Sequence, residues 1–141
     1  MDKATLHLTI VSQEKKLLEK KVESVTLDTA VGEITILPNH IPLMSQLVTG
    51  EVKYLEDGKT DSVIVSKGFL NLAPDNQITI MVDSAVQARD ISEEKARQAI
   101  EQANQTMSQT TDRQELLMAE ASLKRAMLEL RVAQKTKKAK I

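Results

Sequence analysis

Near Asp90 the apolar residues of this chain change their spacing, from every second position to every third or fourth, and one element cannot serve both periods. Before that point come Leu6, Leu8, Ile10, then Val25, Leu27, then Ile34, Ile36, then Val63, Val65, then Ile78, Ile80, Val82. Short alternating runs of this kind are half-buried strands. After it, Ala96, Ala99, Ile100, Ala103 and Met107 follow a helical spacing, as do Leu116, Ala119, Leu123, Met127, Leu130 and Ala133. The reading is an α+β chain, with an N-terminal antiparallel β-sandwich or flattened barrel over residues 1–88 and a C-terminal antiparallel two-helix hairpin over 89–141.

The punctuation agrees with the periods. Asp57-Gly58 between Val52–Leu55 and Ser62–Val65 signals a tight hairpin, and Pro74-Asp75-Asn76 marks a turn before Gln77–Val82. Asp90 and Ser92 are capping residue types, with Glu93 three after Asp90 as in a capping box, so a first helix is expected from about Ser92 to Met107. Polar Ser108–Asp112 interrupts it, and Thr111 or Asp112 is available to cap a second, longer helix. Neither helix holds an internal glycine or proline, and their alanines allow close packing. A hairpin this small buries little surface alone, so its stability depends on docking, which makes it a movable part. The terminal KTKKAKI run is expected to be a frayed, solvated end.

Composition removes several function classes. Phe69 and Tyr54 are the only aromatic residues, so the core must use Leu, Ile, Val, Met and Ala, and stacked-base recognition lacks its platforms. Cysteine is absent, which excludes disulfides, thiol nucleophiles and thiolate metal sites. No stretch approaches the roughly 20 apolar residues of a membrane span, and MDKATLHLTI has no secretory signal pattern, so a soluble, unexported protein is expected. Residues 1–90 hold nine Lys/Arg against thirteen Asp/Glu, and residues 91–141 hold ten against seven. The chain is electrostatically two-part.

No Gly-x-Ser-x-Gly elbow or phosphate-binding Gly-x-x-x-x-Gly-Lys-Ser/Thr loop is present, and the carboxylates form no isolated pair within an apolar segment. His7 and His40 are too few for a histidine metal site. His7 reads as a sheet-surface residue, whereas His40, between Pro38 and Pro42, sits on a braced loop suited to contact. Lys124, Arg125, Arg131, Lys135, Lys137 and Lys138 either serve an acidic partner or form a solvated face. Three further readings stay open: a freestanding β-sandwich binding module with a helical dimerisation hairpin, a small hydrolase using His40 and Glu33, and a basic hairpin for nucleic acid.

Three stretches, in order along nearly the whole chain, resemble the epsilon subunit of bacterial F-type ATP synthases. They are Gly32-Glu33-Ile34-Thr35-Ile36-Leu37-Pro38-Asn39-His40-Ile41-Pro42-Leu43, Ser66-Lys67-Gly68-Phe69-Leu70, and Leu123-Lys124-Arg125-Ala126-Met127-Leu128-Glu129-Leu130-Arg131-Val132-Ala133. The family usually has glycine where Thr35, Asn39 and Lys67 stand. Asn39 can still adopt a left-handed backbone, while Thr35 and Lys67 imply extended or altered backbone.

The resemblance implies a non-catalytic central-stalk subunit of a proton-translocating rotary ATP synthase, peripheral on the cytoplasmic side of the cell membrane and attached only through its complex. It implies a sandwich that binds the gamma subunit and sits on the c-ring, with Glu33, Pro38, His40 and Pro42 at those contacts. It implies a hairpin that extends toward the alpha and beta subunits and blocks ATP hydrolysis, with Lys124, Arg125 and Arg131 facing their acidic segments. No catalytic residue, metal, cofactor or nucleic-acid partner is implied. Some family members hold ATP in the hairpin through an Ile/Leu-Asp-x-x-Arg-Ala motif. Here the run is Ile91-Ser92-Glu93-Glu94-Lys95-Ala96, and Glu129 stands where a second-helix arginine would be. Ile91, Lys95 and Arg125 would be the nucleotide contacts, and weak or absent ATP binding is expected.

Overall fold

The computed structural model describes residues 4–139, with side chains through 136, and the chain divides into two units at Val86/Gln87. Ten strands are described: β1 (Leu6–Val11), β2 (Lys16–Val22), β3 (Ser24–Thr29), β4 (Gly32–Ile36), β5 (Leu43–Leu47), β6 (Gly50–Glu56), β7 (Lys59–Val65), β8 (Gly68–Ala73), β9 (Gln77–Val82) and β10 (Ala85–Gln87). They follow the order β10-β7-β6-β3-β5-β8-β9-β1-β2, with β4 paired to β3 off that path. Lys20 of β2, one end of that path, reaches Glu56 of β6, two strands in from the other end, at 3.2 Å, so the sheet folds back on itself as a nearly closed sandwich.

Most neighbours are antiparallel, as the short turns require. β1 and β9 are parallel, a pairing between distant parts of the chain that local turn signals do not report. The turns behave as their residues dictate. Asp57 and Gly58 have φ of 50° and 76°, which closes β6 on β7 with Glu56 opposite Lys59. Asp75 and Asn76 also lie at positive φ, joining β8 to β9.

Inward residues of both layers build one apolar core that includes Leu8, Ile10, Leu27, Ile36, Leu70 and Ile80. Tyr54 is in it, 1% exposed. Methionine is not: Met44 and Met81 stand outside, because each occupies the outward phase of its strand.

In the second unit a 3-10 turn at Ala88–Asp90 precedes α1 (Glu93–Gln109) and α2 (Arg113–Ala139). Asp90 therefore does not head a capping box. Ser92 is the N-cap, and its hydroxyl accepts the Lys95 N–H. The Asp112 carboxylate accepts the Gln114 N–H at the start of α2, and the connector of Thr110 to Asp112 turns the helices antiparallel. The buried phase runs through Ala96 and Ala103 on α1 and Ala119, Ala126 and Val132 on α2. Met127 and Ala99, placed on the apolar faces by spacing alone, are exposed. Helical backbone continues to Ala139, so the KTKKAKI run is not frayed through that point; the side chains of Lys137 and Lys138 and residues 140–141 lie outside the described residues.

Candidate functional site

The outer face of β5, β8, β9 and β1 carries the feature that spacing did not reveal. Across these strands Gln46 stands opposite Phe69, Phe69 opposite Met81, and Met81 opposite Val11. Phe69 is 58% exposed, Met81 46% and Met44 80%. Met44 pairs with Asn71, one outward step from Phe69, and so lies on the diagonal that long side chains span. The result is a row of outward apolar side chains across neighbouring strands. A groove of about 510 Å³ runs beside it, lined by Val11, Gln46, Lys67, Gly68, Phe69 and Met81 among others. An exposed apolar patch of this kind makes this face a candidate docking site.

The groove's geometry depends on Gly68. A Cβ there would lie 2.0 Å from the Met81 carbonyl oxygen and 2.9 Å from a Val82 methyl. Only glycine lets β8 approach β9 this closely at the start of the Phe69 strand.

At the other end of β4 and β5 lies the proline-braced loop. The His40 N–H donates to the Leu37 carbonyl at 3.2 Å, closing a turn with Pro38 second and Asn39 third, and Asn39 has φ of 69° as that turn type demands. His40 Nδ1 lies 2.7 Å from the Ile41 carbonyl oxygen, so Nδ1 carries the proton and Nε2 is left as the ring's other polar atom. His40, Ile41 and Pro42 are exposed and Pro38 is half-buried, so the loop presents an imidazole beside an apolar side chain. Glu33 is exposed too, but sits near the far end of β4, about 10 Å of strand from Ile36, opposite Asp28 of β3. The structure thus groups Pro38, His40 and Pro42, and places Glu33 on a separate stretch of surface. Thr35 is plain β4 strand, its hydroxyl 2.9 Å from that of Thr26, and neither it nor Lys67 has a positive φ.

On the outer face of β1 and β2, His7 Nε2 lies 3.6 Å from Glu19, whose other oxygen accepts from Lys16. The Lys16 hydrogen bond and charge, with help from His7, hold the Glu19 carboxyl below the usual carboxylate range.

In the second unit, Lys124 and Arg131 are exposed, and Arg125 donates its Nε–H to Glu129 Oε1 at 3.2 Å. Glu129 thus pairs with the arginine expected from the resemblance as a nucleotide contact. Ile91 is half-buried and Lys95 exposed. A shallow groove of about 340 Å³ on the hairpin is lined by Ile100, Leu123, Met127, Leu130 and Arg131 among others. Among the described residues no group of His, Asp and Glu could hold a metal ion, and no helix is long and apolar enough to cross a membrane.

Comparison with known proteins bears on both units. Residues 5–88 match the family model of the ATP synthase delta/epsilon chain beta-sandwich domain, and residues 89–134 match that of its long alpha-helix domain. The chain is 39% identical over 128 residues to the ATP synthase epsilon chain of Nitratidesulfovibrio vulgaris strain DP4, covering 91% of this chain and 95% of that one. It is 39% identical over 130 residues to the ATP synthase epsilon chain of Halalkalibacterium halodurans, covering 92% and 97%. Among solved structures, a chain of the Euglena gracilis mitochondrial ATP synthase assembly of OSCP, F1 and c-ring is similar at 27% identity and a TM-score of 0.75, over 94% of this chain and 81% of that one. A chain of the Tetrahymena thermophila mitochondrial ATP synthase central stalk and c-ring shares the fold, at 12% identity and a TM-score of 0.65, over 94% and 99%.

Proposed function

This chain belongs to the delta/epsilon chain family of ATP synthases, similar in both its domains to bacterial epsilon chains, and from that premise we propose that it is a non-catalytic central-stalk subunit coupling proton flow to ATP synthesis. In this reading the sandwich docks the gamma subunit through the Phe69 face, the Pro38–Pro42 loop meets the c-ring, and Glu33 belongs to a second, separate contact. The observation that carries it is the apolar row of Met44, Phe69, Met81 and Val11 on the outward phase of β5, β8, β9 and β1, strands laddered to one another in that order. A surface that transmits torque must be stiff and must exclude water at its centre, and a paired sheet with outward apolar side chains meets both needs.

The hairpin supplies regulation. As a separate compact unit with exposed Lys124 and Arg131, it can leave one docking site for another at a cost of a few kcal/mol, and its cations complement acidic segments of the alpha and beta subunits. There it would block ATP hydrolysis. The Arg125–Glu129 pair leaves the hairpin a poor ATP ligand. The protein itself would be peripheral, held at the cytoplasmic face of the cell membrane by its complex.

The test is ATP hydrolysis by an assembly of alpha, beta and gamma subunits with this chain added, full-length or ending at Asp90. Suppression by the full chain, and binding without suppression by the shorter one, is the expected pair of results. Failure of both forms to bind would overturn the central-stalk reading.

A further inference from the structure

Within the sandwich, the β8–β9 turn is hydrogen-bonded to the Pro38–Pro42 loop. The Oδ1 of Asn76 accepts the Asn39 N–H at 2.6 Å, across 37 residues of sequence. We propose that Asn76 is a positioning residue, which clamps the Pro38–Pro42 loop in the shape that meets its partner; the partner part of this rests on the function proposed above.

The turn closed by His40 N–H and Leu37 carbonyl uses the first and fourth residues, so the N–H of the third residue, Asn39, is left without a partner inside the turn. Asn76 supplies that partner. Its own backbone is fastened, because its carbonyl accepts the His7 N–H at 2.8 Å and ties it to β1. The clamp therefore runs from a paired strand through one side chain to the left-handed residue beside His40. Asn39 and Asn76 have φ of 69° and 62°, conformations that few residues tolerate, and asparagine is one that does. Without the clamp the loop would keep its prolines and its internal bonds at Leu37–His40 and His40–Ile41 but lose this tie to the β8–β9 turn, and His40 and Ile41 would sample more positions before binding.

Two variants of the full chain separate the side chain from the backbone. Asn76→Gly keeps a residue at ease with φ of 62° but deletes the acceptor, and Asn76→Asp keeps the Oδ1 acceptor. Hydrogen exchange on the isolated chain is expected to show the Asn39 amide exchanging about tenfold faster in Asn76→Gly, with amides of β8, β9 and β1 unchanged, and near-native exchange in Asn76→Asp. Affinity for an ATP synthase assembly stripped of this chain is expected to fall about fivefold in Asn76→Gly and to be retained in Asn76→Asp. Unchanged Asn39 exchange in Asn76→Gly overturns the clamp. Faster exchange with unchanged affinity overturns the positioning role, since the loop then moves without consequence for the partner. Failure of the unmodified chain to bind strikes at the central-stalk reading instead, and the exchange data still decide the clamp.

Discussion

Replacing Phe69 with Ala separates docking from folding. Its side chain contributes on the order of 200 Å² when fully exposed, and 58% of the residue is open here, so about 115 Å² of apolar surface is available to a partner. At ~25 cal/mol per Å² that is at most about 3 kcal/mol. Alanine keeps part of this contact, and rim residues contribute less than central ones, so a loss of about 1–3 kcal/mol is expected, a five- to 150-fold weaker complex. Stability of the free chain should change little, because the ring lies on the outward phase of β8 while Leu70 and Leu72 hold the core. The assay pairs titration of the variant against an assembly lacking this chain with urea unfolding of the free protein. Native affinity in Phe69→Ala refutes the docking face, and a matching loss of stability refutes the claim that the ring is idle in the free fold.

Its neighbour should behave in the opposite way: Gly68→Ala puts a methyl 2.0 Å from a backbone oxygen, and urea unfolding is expected to show a loss of roughly 1–3 kcal/mol or more. Glu19 titrates below its ordinary range because of Lys16, so its stabilising effect is present above the ordinary carboxylate range and is lost as pH falls through the lowered folded value. Lys16→Met should move the Glu19 titration, followed by NMR of its side-chain carboxyl, back toward the ordinary range, and an unmoved titration would contradict the assignment to Lys16. Glu129→Arg frees Arg125 and adds a second cation, so calorimetry is expected to detect tighter ATP binding than in the native chain, with no gain counting against Glu129 as the obstacle.

Turns and helix starts were legible in the sequence because their causes are local. Asp57-Gly58 needs nothing beyond two residues at ease with positive φ, and Ser92 caps with its own hydroxyl. Strand β2 was not legible, because Lys16-Leu17-Leu18-Glu19-Lys20-Lys21-Val22 does not alternate. Lys20 occupies an inward position there, and its charge is met by Glu56 of β6, a partner 36 residues away. The parallel β1–β9 pair and the Asn39–Asn76 bond are hidden for the same reason, being contacts between segments that local patterning treats separately. The turn that carries Pro38 and His40 was readable because Pro38 and an asparagine at ease with positive φ set it locally. Nothing local set Glu33 apart from that loop; only the direction of β4 does.

The strands β5 and β8 escaped the period-two reading for a reason that bears on function. In Leu43-Met44-Ser45-Gln46-Leu47 and Gly68-Phe69-Leu70-Asn71-Leu72-Ala73 the inward residues do alternate, but Met44 and Phe69 place apolar side chains on the outward phase and blur the pattern. Met81 does the same in β9. Such exceptions scattered over a surface would carry no meaning, since single exposed apolar residues are ordinary. Here they fall on three consecutive strands of the sheet, with Phe69 opposite Met81 and Met44 on the adjoining diagonal. A sequence that departs from its own folding pattern at three neighbouring positions gains nothing from them in the free fold, and the departure that hides the strands is the reason for proposing this face as the docking face.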